Sequence, residues 1–93
     1  MTLLEITKLR LGYLTDDETI NELIKDLLNE GKSFLSSYCS DLDFENPTRE
    51  RTLLITWVRY AMSNAVDDFN KNYRSELIAL SNRGRINAES QKE

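Results

Sequence analysis

The chain has 93 residues, 40% hydrophobic and 30% charged, with a net charge of −4. That is one domain's worth of chain, with enough apolar content to fold, which argues against disorder. Three glycines and one proline are too few for an all-β fold with its frequent turns, and an acidic total is a poor basis for sequence-specific DNA binding, which leaves a basic footprint.

The first predicted element runs from Thr2 to Leu11, with apolar residues at Leu3, Leu4, Ile6, Leu9 and Leu11. This spacing fits a short helix, and Gly12 is a natural stop. Thr15-Asp16-Asp17-Glu18 reads as the next helix start, Thr15 capping and Glu18 reaching back to it. Apolar residues then recur at Ile20, Leu23, Ile24, Leu27, Leu28, Phe34, Leu35 and Tyr38, the stripe of an amphipathic helix. Gly31 falls on that stripe, where a missing side chain lets another helix come close.

Ser40 to Glu45 is polar and reads as a loop. Asn46-Pro47 is expected to restart the helix, Asn46 as cap and Pro47 at the first helical position, where its missing N–H is no loss. Its stripe is Leu53, Leu54, Trp57, Val58, Ala61, Ala65, Val66 and Phe69. Arg49, Arg51, Arg59, Asn64, Asp67 and Asp68 fill the other face, and Ile55 and Met62 lie off the stripe, pointing to a second buried contact, with a partner as one candidate. A break at Asn70-Lys71-Asn72 precedes a short helix capped by Ser75 and ended by Asn82-Arg83-Gly84. The expected architecture is an all-α small helical bundle, with two long antiparallel helices and shorter terminal helices. It divides into a helical domain over 1–82 and a polar, flexible C-terminal tail over 83–93.

Few features carry chemistry. Without histidine there is no Ser-His or Cys-His pair and no His-containing metal site. Cys39 lies on the apolar side of its helix and reads as a core residue; as a lone cysteine it forms no internal disulfide. Asp41-Leu42-Asp43-Phe44-Glu45 opens like a calcium loop, but Asn46 and Thr52 stand where that loop needs Gly and Glu. No secretory pattern opens the chain, and no apolar run approaches the roughly 20 residues of a membrane span. No enzymatic activity, cofactor, metal or membrane association is expected, and the expected compartment is a reducing cytoplasm.

Charge divides unevenly. Residues 1–46 carry ten acidic and four basic side chains, whereas residues 47–93 carry eight basic and six acidic. Chance can produce such a split, but it also suits a polar subunit whose acidic surface meets its neighbour's basic surface. On the acidic side the candidate interface residues are Glu22, Asp26, Glu30, Asp41 and Asp43; on the basic side they are Arg49, Arg51, Arg59, Arg74, Arg83 and Arg85, with Tyr60 and Tyr73 as anchors.

The order of elements, the Thr-Asp-Asp-Glu start, Ile20-Asn21-Glu22-Leu23-Ile24, the Asn-Pro start, Val58-Arg59-Tyr60, and Asn72-Tyr73-Arg74-Ser75-Glu76-Leu77 together resemble the head–tail connector (adaptor) family of long-tailed bacteriophages. The resemblance covers about residues 3–82. It implies a structural virion protein of the head–tail interface, made in the host cytoplasm, with no catalytic role. Its partners would be copies of itself in a dodecameric ring, the portal protein, and a downstream head-completion or tail protein. Genomic DNA would pass through the ring without sequence-specific binding. The competing reading is a small helical nucleic-acid-binding regulator, supported by the basic second half.

Overall fold

The computed structural model describes the backbone of residues 1–91 and the side chains of residues 1–86. It is all-helical: α1 (Leu3–Leu11), α2 (Glu18–Ser36), α3 (Arg49–Met62), α4 (Val66–Asn72) and α5 (Arg74–Gln91), with no strand among the described residues.

Local chemistry sets the helix ends. Thr2 and Glu5 form a reciprocal capping box at the start of α1. At its end Gly12 takes φ 85°, and the Tyr13 N–H turns back to the Lys8 carbonyl at 2.9 Å, closing a Schellman turn. The cap of α2 is Asp17, whose carboxylate accepts from the N–H groups of Thr19 and Ile20. Thr15 is the expected cap, but the helix starts at Glu18, and Asp17, directly before it, reaches the orphan donors instead. Asn46 likewise does not cap α3. Asp43 claims it first, accepting from its N–H at 3.2 Å and its side-chain amide at 2.8 Å. The cap passes to Thr48, which accepts from the Arg51 N–H at 3.2 Å, and Pro47, expected at the first helical position, lies before the cap.

α3 is the hub. It packs mainly on α2, and also touches α1 and α4. At the α2–α3 seam a methyl group on Gly31 would stand 2.6 Å from Leu54 Cδ1 and 2.8 Å from Trp57 Cε3, the close approach that its place on the stripe predicts. Leu53, Leu54, Trp57 and Val58 are buried as the periodicity predicts, but so are Ile55, Glu50 and Arg51. Arg51 therefore does not lie on a solvated face, and Ile55 is covered within the subunit itself. One turn beyond Ile55, Arg59 donates to the Arg10 carbonyl at 3.0 Å, so α1 ends across this side of α3.

The expected single rod from Asn46 to Phe69 is two helices. Ser63 ends α3, Asn64 takes φ 53°, and the Ala65 N–H returns to the Tyr60 carbonyl at 2.9 Å. Asparagine tolerates this left-handed conformation better than most residues with a side chain. The bend brings Phe69, fully buried, back against Phe34, Tyr60 and Tyr73, with ring centroids 5.0–6.3 Å apart.

α5 also departs from expectation. Tyr73 ends α4 and α5 begins at Arg74, one residue before the expected cap, then runs unbroken through Gly84 to Gln91. Gly84 is not a stop. A methyl group there would stand 2.9 Å from the Tyr38 carbonyl oxygen and 3.2 Å from Cys39 Cα, so the glycine lets α5 cross the chain just past α2. The 83–93 segment expected as a flexible tail is thus helical as far as Gln91; its last part, 92–93, lies outside the described residues. The molecule measures 49 × 28 × 18 Å.

Candidate subunit interface

The acidic candidates separate into two groups. Glu22, Asp26 and Glu30 are exposed along one face of α2, opposite the buried Ile24, Leu28, Gly31 and Leu35. Lys25 lies 3.4 Å from Glu22. Leu23, expected in the core, sits on this acidic face and is 45% exposed.

Asp41 and Asp43 belong instead to the α2–α3 loop. The Asp41 carbonyl accepts from Arg83 at 2.7 Å. Asp43 is half-buried, and its carboxylate folds the loop by accepting from Asn46 and from the Glu45 N–H. Those hydrogen bonds, the Asn46 side chain foremost, hold its pKa below the ordinary carboxylate value.

Most of the basic candidates are engaged within the subunit. Arg49 makes a two-pronged pair with Glu76 of α5, which lowers the Glu76 pKa. Arg51 is buried and donates to the Glu45 carbonyl at 3.4 Å. Arg83 spans from α5 to the buried Glu50 at 3.3 Å, and Glu50 also accepts from the Asp43 N–H at 3.1 Å. Burial pushes the Glu50 carboxyl up, but the hydrogen bonds from Asp43, its own N–H and Arg83 together outweigh this and keep it lowered.

Tyr60 and Tyr73 are half-buried and meet edge to face with centroids 6.0 Å apart, and Asn72 donates to the Tyr60 hydroxyl at 3.2 Å. Arg74 and Arg85 remain outward, Arg85 reaching Asn82 at 3.4 Å.

Two apolar features escape the sequence reading. On α5, Ile78 is 51% and Ile86 57% exposed; at helical spacing they share the outer face with Arg74, Asn82 and Arg85. The polarity of the segment around Ile86 hides this, and only an unbroken helix aligns the four turns. At the other end, Met1, Leu9 and Leu14 are exposed around a shallow groove of about 230 Å³ shared with Tyr13. A larger open groove, about 460 Å³, runs between α3 and α5 beside Thr48, Thr52, Thr56 and Tyr73.

No described helix is long and apolar enough to cross a membrane. Among the described residues no three acidic or cysteine side chains stand together as a metal-binding group. Comparisons with family models, with curated proteins and with solved structures give no match.

Proposed function

We propose that the chain is a structural subunit that assembles head to tail into a ring, in the manner of the connectors its sequence resembles. The ring would dock beneath a portal, extend the channel for DNA and receive a downstream head-completion or tail protein. One observation supports this reading above the others: two outward helix faces, each mixing charged with apolar side chains and of opposite sign. α2 offers Glu22, Leu23, Asp26 and Glu30; α5 offers Arg74, Ile78, Arg85 and Ile86. Two different faces make a heterologous contact, and repeated heterologous contacts close into rings when the rotation allows. Exposed ion pairs add only about 0–1 kcal/mol each, so Leu23, Ile78 and Ile86 supply most of the affinity while charge sets partner and register.

The nucleic-acid reading loses support. Arg51 is buried, and Arg49, Arg59 and Arg83 hydrogen-bond within the subunit, the first and last of them to carboxylates that offset their charge, which weakens the basic half as a footprint for phosphates.

Sedimentation velocity over a concentration series, alone and with the cognate portal, tests the proposal. Association is expected to weaken in Asp26→Lys and in Arg85→Glu, and to recover in part when both are combined. A chain that stays monomeric throughout and fails to dock on the portal would sink it.

A further inference from the structure

We infer that α5 is a latch: it undocks as a unit from the α2–α3 loop about the Tyr73 joint while α1 to α4 stay folded. This inference does not depend on the ring reading.

The joint is a single residue. Tyr73 has φ −113° and ψ 21°, outside the helical region, and separates α4 from α5. Beyond it α5 is lightly held. Leu77 and Leu80 are its only buried side chains among the described residues. α2 and α3 instead share a continuous buried seam through Ile24, Leu28, Leu35, Leu54, Trp57 and Val58. Cooperative units of a fold open in order of how little they bury, and α5, whose described part gives the core only Leu77 and Leu80, can leave with the α2–α3 seam intact.

What fastens α5 is specific and polar. Arg49 grips Glu76 near its start, and Arg83 grips Glu50 and the Asp41 carbonyl further along. Next to Arg83, the bare Gly84 backbone rests on Tyr38 and Cys39. The fastenings around Arg83 are arranged as a catch: one hydrogen-bonded arginine, one glycine seat, and a loop that meets both. With the catch released, the covered Cys39 and the side of α3 carrying Leu53 face solvent.

Cys39, the sole cysteine and 3% exposed beneath Gly84, reports on the latch directly. The experiment measures the labelling rate of the full-length protein by an aromatic disulfide reagent at increasing urea, below the unfolding transition. Hydrogen exchange of the Leu28 and Leu54 amides is followed in the same solutions. Labelling is expected to outpace exchange of those core amides and to depend only weakly on urea, because local opening exposes little surface. Arg83→Ala is expected to raise the labelling rate about tenfold or more, the scale of one lost charged hydrogen bond. Gly84→Ala, which drives a methyl group into the Tyr38 carbonyl, should raise it as well. Labelling that tracks core exchange with the full urea dependence would mean α5 leaves only with global unfolding, and the latch would be wrong. Fast labelling insensitive to both substitutions would place the opening elsewhere and also overturn it; the wild-type urea series decides the matter even if a variant fails to fold.

Discussion

Gly31 and Trp57 together set the distance between the two principal helices. Alanine at Gly31 gains helix propensity worth up to about 1 kcal/mol, but its methyl group meets the rigid Trp57 ring at 2.8 Å and Leu54 at 2.6 Å. Overpacking wins, and Gly31→Ala is expected to lower stability by about 1–3 kcal/mol in urea unfolding. Glu50 makes a second residue-scale test. Its folded pKa is lowered, so as pH falls the unfolded state takes up a proton first. The stability it contributes is present above its ordinary value of 4.5 and is lost as pH drops through the lower folded value. Glu76 and Asp43, also lowered, act in the same direction. The urea midpoint should therefore be flat near neutrality and decline below about pH 4.5, and Glu50→Gln should make the decline shallower.

Helix ends show how far a one-dimensional reading reaches. The stripe of α2 is plain in the chain because nineteen residues repeat one pattern, and only Leu23 departs from it. Its cap was misplaced because Thr15, Asp16 and Asp17 are all competent, and only the path of the preceding turn chooses among them. Asp17→Ala is accordingly expected to destabilise by about 1 kcal/mol, whereas Thr15→Ala should be nearly silent in the same thermal melts. The bend between α3 and α4 has no glycine or proline to announce it; Asn64 bends because Phe69 has a place in the core to reach. Removing its tolerance for positive φ, as Asn64→Ala does, should cost about 1–2 kcal/mol. Gly84 misled for the opposite reason. Glycine after an apolar run usually ends a helix, but here its meaning lies in Tyr38 and Cys39, far upstream, which no local pattern contains. The candidate interface was legible in part: the acidic face of α2 follows from its period, while the arginines that close the fold are indistinguishable in the chain from those that face outward.

Taken whole, the molecule is less compact than its length implies. A globule of this size has a radius of gyration near about 12 Å, and the observed value is 14.2 Å. α5 runs on past Leu80, its last buried side chain among the described residues, and this adds to the long axis. At this scale the assembly proposal predicts salt sensitivity: if opposite charges on α2 and α5 steer association, raising ionic strength should slow complex formation more than it speeds dissociation, as stopped-flow mixing at several salt concentrations would show. A rigid rod on a one-residue pivot also has mechanical gain. α5 is about 27 Å long at helical rise, so turning it by about 20° at Tyr73 carries its far tip about 9 Å. A change of two backbone dihedrals at one tyrosine is thereby amplified into a displacement nearly as wide as a helix.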